Sequence, residues 1–322
     1  MAEKIVVIGT GGTIAGRSAQ AGDNVGYQAG QVSVADLLQA VPGLTGVLSG
    51  RELRVLQLAQ VDSKDMEFAL WYSLALACAD HLADPEVTAV IVTHGTDTLE
   101  ESAFFLDRVL PMERLNHKPL VLACAMRPAT ALAPDGPQNL LDAVTVACSG
   151  AKGVLAVCAG RIHGAQQVQK VHPYRLDAFD SGEAGPLGVV EEGRVRWLAT
   201  LPPAASGARP AIQTLPPAQD WPRVEIVMSY AGASGDMVRS LCAPVPGVPP
   251  VRGLVVAATG NGTVHRALED ALKDAQATGV QVVRSTRCAL GQVIAGPTEV
   301  ALPLTPWSPV KARIALMLDL MA

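Results

Sequence analysis

Aromatic residues are scarce, at 4% of 322 residues, so Val, Leu, Ile and Ala must fill the core. No apolar run approaches the roughly 18 residues of a membrane helix. No block of Lys and Arg marks a nucleic-acid surface, and 25 basic residues against 30 acidic ones leave a net charge of −5. The six cysteines form no C-x-x-C pair and sit mostly in apolar stretches, which reads as buried small hydrophobes. H-E-x-x-H and paired Cys/His spacings are missing, which disfavours a zinc site. G-x-S-x-G is missing too, which disfavours a serine hydrolase with that nucleophile elbow. A charged fraction of 17% beside 49% apolar residues excludes a disordered chain or a coiled coil.

What is present is glycine, 30 of them, with 23 prolines: the makings of a small-residue chain with many tight turns. Short β-branched runs at residues 5–8, 87–92, 120–125 and 153–159 alternate with turns and helical patterns such as 99–110. The runs lack polar alternation, so they read as strands of a mostly parallel sheet covered on both faces by helices. The first run is too short for a signal-peptide core and leads straight into a glycine turn, so it reads as the first strand of a cytoplasmic protein. After Trp197 the composition shifts to Ala, Ser, Gly and Pro, with Pro202-Pro203 and Pro216-Pro217. This predicts an extended linker over 199–222. Beyond it the rhythm resumes in runs at 224–228, 254–257 and 280–283 and helical patterns at 265–277 and 310–321. The expected organisation is an α/β domain over 1–198, the linker, and a smaller α/β domain over 223–322.

Two turns carry the chemistry. The first, Gly9-Thr10-Gly11-Gly12-Thr13, fails the dinucleotide fingerprint, which needs glycine where Ile14 stands, and fails the P-loop, since no Lys follows. It leaves two hydroxyls at a strand's carboxyl end, where open α/β sheets place ligands. The second, Thr93-His94-Gly95-Thr96-Asp97-Thr98, puts three hydroxyls and one carboxylate after a buried strand. Thr98 with Glu101 fits a capping box. His94 reads as a residue that holds the turn by bonding its backbone. A hydroxyl nucleophile needs an activating His, Lys or Tyr.

Taken together these residues resemble bacterial-type L-asparaginases. The resemblance rests on Thr10-Gly11-Gly12-Thr13-Ile14-Ala15-Gly16 and on Thr93-His94-Gly95-Thr96-Asp97-Thr98-Leu99-Glu100-Glu101. Between them, Val61-Asp62-Ser63-Lys64-Asp65-Met66 is similar to the family's substrate-binding segment. Ala125-Met126-Arg127-Pro128, Asp135-Gly136-Pro137-Gln138-Asn139-Leu140, the stretch from Lys170 to Gly188, Gly260-Asn261-Gly262 and Val283-Arg284-Ser285-Thr286-Arg287 extend it over nearly the whole chain.

The resemblance implies hydrolysis of L-asparagine through a threonine acyl-enzyme and without a cofactor or a metal, the alternative being a glutaminase-asparaginase that also takes L-glutamine. By it, Thr13 is the nucleophile and Tyr27 the tyrosine that closes beside it from a glycine-rich stretch. Thr96, Asp97 and Lys170 form a second catalytic set. Gly12, Asp62, Ser63 and Gly95 line the substrate, with Ser63 on the α-carboxylate and Asp97 on the α-ammonium. Oxyanion donors are implied at Gly12 or Thr13 and at Thr96. The family's usual tetramer, a dimer of dimers, would bring Asn261, Thr263 and Glu299 toward a neighbour's site. Lys64 departs from the pattern, standing where glutamine is common, and a donor-only ammonium is expected to turn away from the α-ammonium. From another class, the rival is a non-catalytic module that uses the same turns to bind an amino acid.

Overall fold

The computed structural model describes residues 3–20, 22–200, 210–296 and 302–322. The chain divides into two compact units, Met1–Thr214 and Leu215–Ala322.

In the first unit β1 (Lys4–Gly11) is followed by a short ribbon, β2 (Arg17–Ser18) and β3 (Tyr27–Gln28), then by α1 (Val34–Gln39), α2 (Leu44–Leu48) and β4 (Glu52–Val61). Next come α3 (Phe68–Ala83), β5 (Val87–Thr93), α4 (Leu99–Val109), α5 (Met112–Leu115), β6 (Leu120–Ala123), α6 (Gly136–Cys148) and β7 (Val154–Cys158). The unit closes with β8 (Arg161–Gly164), β9 (Gln169–Lys170), β10 (Phe179–Asp180), β11 (Gly188–Glu191) and β12 (Arg194–Trp197). The main sheet runs β12-β11-β8-β7-β6-β5-β1-β4. Strands β4, β1, β5, β6 and β7 pair in parallel, and β8, β11 and β12 extend the edge antiparallel.

Alternate residues of the buried strands serve two cores, because side chains on a strand point to opposite faces. Ile5, Val7, Ala89 and Ile91 pack with Val34, Leu37 and Leu38 of α1 and with Leu140, Val144 and Ala147 of α6. Val6, Ile8, Val90 and Val92, equally buried, point to the other face, where α3 packs on β5 and α4 packs on α3 and β7. There Trp71 stacks on Phe105 with centroids 5.0 Å apart, so two of the few aromatics meet in one contact.

Chain order fixes where the site lies. From β1 the chain moves to β4 on one side, then returns to β5 on the other. The chain leaving β1 thus crosses to β4 on one side and the chain leaving β5 continues to β6 on the other, and the strands' carboxyl ends at such a switch are the ligand position of open α/β sheets. The register Ile8↔Val92 and Gly9↔Thr93 brings both turns to one level.

The second unit holds β13 (Arg223–Met228), α7 (Asp236–Cys242), β14 (Val251–Ala258), α8 (Arg266–Ala277), β15 (Gln281–Thr286) and α9 (Pro309–Asp319). Its three strands are parallel, in the order β13-β14-β15. Leu254 and Val256 pack with Val238, Leu268, Ala271 and Leu272 of α7 and α8. Gly253 lets Leu316 of α9 approach the opposite face.

The stretch read as a linker differs from an extended chain. Residues 201–209 lie outside the described ones. Past them, Ile212–Thr214 and Ala218–Asp220 form 3₁₀ turns, and Ile212, Leu215 and Trp221 are buried. Pro217, fixed at φ −53°, preorganises the second turn, and the three apolar side chains tie the stretch down. Of the cysteines, Cys78, Cys124 and Cys158 are buried, whereas Cys288 is exposed.

Candidate active site

The two hydroxyl turns meet through glycine. A Cβ on Gly12 would lie 2.3 Å from both Cα and N of Gly95, and one on Gly95 would lie 2.4 Å from Ser63 Oγ. Gly12 also sits at φ 83°, in the region glycine favours. Thr10 adds a tie, its hydroxyl donating to the Thr93 carbonyl at 2.8 Å. Thr13 and Thr96 each follow one of the touching glycines, so the contact draws the two hydroxyls together.

Thr13 opens a one-turn 3₁₀ helix and is 8% exposed. Its Oγ1 lies 2.7 Å from the Tyr27 phenol oxygen. Tyr27 reaches it because β3 pairs back on β2, and its ring packs on Gly16, where a Cβ would come within 2.7 Å. Burial pushes the phenol pKa up, the bond to Thr13 works against this, and the charges of Asp62 and Asp97 push it further up while Lys64 pulls it down.

Thr96 is 4% exposed. Lys170 Nζ donates to Thr96 Oγ1 at 2.9 Å and to Asp97 Oδ1 at 2.5 Å. The Lys170 side chain is 15% exposed and that of Asp97 52%, so the carboxylate opens to solvent while the ammonium is shielded. A lysine without the Asp97 and Thr96 oxygens would be costly to hold this way.

Ser63, 2% exposed, joins the segment after β4 to the second turn. Its Oγ accepts from the Asp97 N–H at 3.1 Å, and its carbonyl accepts from the Thr98 hydroxyl at 2.7 Å. The Ser63 O–H proton has no acceptor among the described residues. Thr98 is thus not the side-chain cap of α4 that a capping box requires: it makes no cap bond. A tertiary carbonyl within reach takes its proton instead. Lys64 points to Asp65 at 2.6 Å and Asp62 at 3.3 Å with its side chain 60% exposed, matching the expected turn away from the site.

His94 is fully buried, and burial lowers its pKa to about 4, so it stays neutral. Its Nδ1 lies 2.7 Å from the Gly95 carbonyl, which can only accept, so Nδ1 carries the proton. Nε2 then accepts from the Ser102 hydroxyl at 2.8 Å, which accepts from Trp71 Nε1 at 2.8 Å. This holds the turn by its backbone, as read from the sequence. Because a trans peptide is planar, gripping the Gly95 carbonyl aims the Thr96 N–H the opposite way. Among the implied oxyanion donors, the Gly12 N–H already donates to the Val61 carbonyl at 2.8 Å, which leaves Thr13.

These distances pair the Thr13 hydroxyl with the Tyr27 phenol and the Lys170 ammonium with Thr96 and Asp97, on two turns that touch at Gly12 and Gly95. The profile "Asparaginase, N-terminal" matches residues 4–203, and "Glutaminase/Asparaginase C-terminal domain" matches residues 223–322. The chain belongs to the asparaginase family.

The asparaginase relatives include a glutaminase-asparaginase of Pseudomonas fluorescens biotype A, 34% identical over 98% of this chain and 86% of its own length. L-asparaginase 2 of Escherichia coli (strain K12) is 33% identical over 89% of this chain and 78% of its own. A crystal structure of a probable cytoplasmic L-asparaginase from Campylobacter jejuni superposes with a TM-score of 0.89 at 34% identity, covering 99% of this chain and 95% of that one.

Three further positions belong to the asparaginase resemblance. Glu299 is outside the described residues. Thr263 and Asn261 belong to the second unit: Thr263 Oγ1 donates to the Thr259 carbonyl at 3.0 Å, and the Asn261 amide bonds both N–H and carbonyl of Ile294. Asp135 and Asn139, part of a motif of the sequence but given no role there, tie the loop that follows β6. Asp135 accepts from the N–H groups of Met126 and Arg127, and Asn139 links the Cys124 carbonyl to the Ala159 N–H. An Asp before Gly-Pro at a helix start is their one local signal. Among the described residues, no group of three His, Cys, Asp or Glu is placed to hold a metal ion.

Proposed function

We propose that this chain hydrolyses L-asparagine to L-aspartate and ammonia through an acyl-enzyme on Thr13. The observation that carries the reading is the pairing of two engaged hydroxyls across one glycine contact, Thr13 on Tyr27 at 2.7 Å and Thr96 on Lys170 at 2.9 Å. Thr13 Oγ1 attacks the amide carbon. Its proton passes to the phenol oxygen while the phenol's own proton moves to the departing nitrogen. The raised phenol pKa disfavours a standing phenolate and so favours this exchange over prior ionisation of Tyr27.

The Thr13 and Thr96 N–H groups face the developing oxyanion, an arrangement worth several kcal/mol in a shielded site. Ser63 offers its hydroxyl proton to the α-carboxylate, and Asp97 offers its second oxygen to the α-ammonium. Gly12 and Gly95 line the substrate as bare backbone, and Asp62 borders it with Lys64 attached. Thr96, held by Lys170 and Asp97, orients the water that releases L-aspartate from Thr13. As water adds to the ester, its proton passes to the Tyr27 phenol oxygen while the phenol's own proton returns to Thr13 Oγ1, the reverse of the first exchange.

Broader glutaminase-asparaginase activity is the second reading, favoured by the Pseudomonas fluorescens relative. One methylene separates the substrates, worth about 1–3 kcal/mol of discrimination. A homotetramer, with Thr263 and Glu299 serving a neighbour's site, and a cytoplasmic location complete the proposal. The Campylobacter jejuni structure, described as cytoplasmic, supports the latter.

Ammonia release from L-asparagine, L-glutamine and their D-isomers tests the activity. Binding of L-asparagine with no ammonia from any of the four would replace the enzyme with an amino-acid-binding module.

A further inference from the structure

Two acidic side chains of α4 hold the segment that carries Lys170. Glu100 and Asp107 stand seven residues apart, nearly two full turns, and so project from one face of the helix. Asp107 Oδ2 accepts from Gln166 Nε2 at 3.0 Å, and Glu100 Oε1 accepts from the Lys170 backbone N–H at 3.3 Å. Seven residues of helix rise about 10.5 Å. Four residues of chain span at most about 14 Å. Residues 166–170 therefore run along the helix in the opposite direction, tethered near both ends.

The same helix begins at Leu99, two residues after Asp97, which with Thr96 receives the Lys170 ammonium. The second turn and the helix it leads into thus carry both acceptors and both anchors of the donor. Among the described residues, the ladder partner of β9 is the two-residue β10, a weak support for a catalytic side chain. A lysine stem has four rotatable bonds, so where its backbone sits decides which oxygens its ammonium reaches.

We propose that Glu100 is a positioning residue for Lys170: its carboxylate holds the Lys170 peptide so that the ammonium meets Thr96 Oγ1 and Asp97 Oδ1 together. Glu100 acts through Lys170, and the inference rests on the reading above that the Thr96–Asp97–Lys170 set takes part in amide hydrolysis.

The test compares kcat, KM and Tm of the full-length chain and of Glu100→Ala, Glu100→Gln, Gln166→Ala and Lys170→Met with L-asparagine. Misplacing a catalytic group by about 1 Å costs up to a hundredfold in rate. Glu100→Ala should lower kcat at least about tenfold with KM within about threefold. Glu100→Gln, which keeps an acceptor oxygen, should recover most of that loss. Gln166→Ala, cutting the far tether, should lower kcat in the same direction by a smaller factor.

The proposal is overturned if Glu100→Ala keeps more than half of kcat, if its effect falls on KM alone, or if Glu100→Gln is no better than Glu100→Ala. Should Glu100→Ala melt near the assay temperature, Gln166→Ala decides, and an unchanged kcat there overturns the proposal. Lys170→Met separates the two levels. Inactive Lys170→Met beside intact Glu100→Ala defeats only this inference, whereas active Lys170→Met defeats the reading beneath it.

Discussion

Gly95→Ala adds one methyl to the point where the two turns touch. The backbone of Gly95 lies outside the positive-φ region, so alanine adds no dihedral strain there. The collision is the whole effect. The new Cβ would stand 2.4 Å from Ser63 Oγ, 2.7 Å from Ser63 Cβ and 3.0 Å from Gly12 Cα, where ordinary contact begins at 3.4 Å. Ser63 must therefore retreat by about 1 Å, and its bonds to the Asp97 N–H and the Thr98 hydroxyl move with it. Misplacement by that much costs on the order of a hundredfold in rate, or about 2.7 kcal/mol of barrier. Overpacking of this kind destabilises by about 1–3 kcal/mol, which in a chain of this size lowers Tm by about 2–10 °C. Ammonia release with L-asparagine and differential scanning calorimetry measure both effects. A variant that keeps a third of kcat and the wild-type Tm would refute the argument that this contact sets the site.

Thr13→Ala and Thr96→Val should each lower kcat by orders of magnitude with Tm nearly unchanged; more than a tenth of wild-type kcat, a loss of only about 1.4 kcal/mol, removes that residue's role. Lys64→Gln should change KM more than kcat, because the ammonium lies on Asp62 and Asp65 at the rim, and a large change in kcat alone would put Lys64 in the chemistry. His94 and His163 are both held at a pKa of about 4 by burial, below the 6.5 of an unfolded histidine. The stability this gives is complete above about pH 6.5 and is lost as pH falls toward 4, on the order of 3 kcal/mol for each, so a Tm that stays flat from pH 7 to 5 would contradict it.

The two turns were legible because glycines and hydroxyls cluster after apolar runs, a pattern with few purposes at a strand's carboxyl end. Ser63 and Lys170 carry no such local signal: one serine and one lysine look like any others, and only the family pattern singled them out. The edge strand β4, with Glu52, Arg54, Gln57 and Gln60 among its residues, lacks the continuous apolar run that marks a strand buried on both faces. Thr98 looked like a cap because capping is read from neighbours in sequence, whereas its acceptor, the Ser63 carbonyl, lies 35 residues away. Glu100 resembles any acid in a helix's first turn, and its tie to the Lys170 backbone spans 70 residues.

A hydroxyl primed to attack amides is a hazard to a cell, whose every protein displays asparagine and glutamine side chains. Thr13 is 8% exposed, roofed by the Tyr27 ring and walled by two tightly packed turns. A side chain on a folded protein brings its own backbone and neighbours, and that bulk meets the tyrosine before the amide comes within reach of the hydroxyl. On the proposed reading, the lone amino acid brings nothing but its charged end, which Asp97 and Ser63 receive. Under the proposed activity, steric bulk and the demand for a free charged end together spare the proteins around the enzyme.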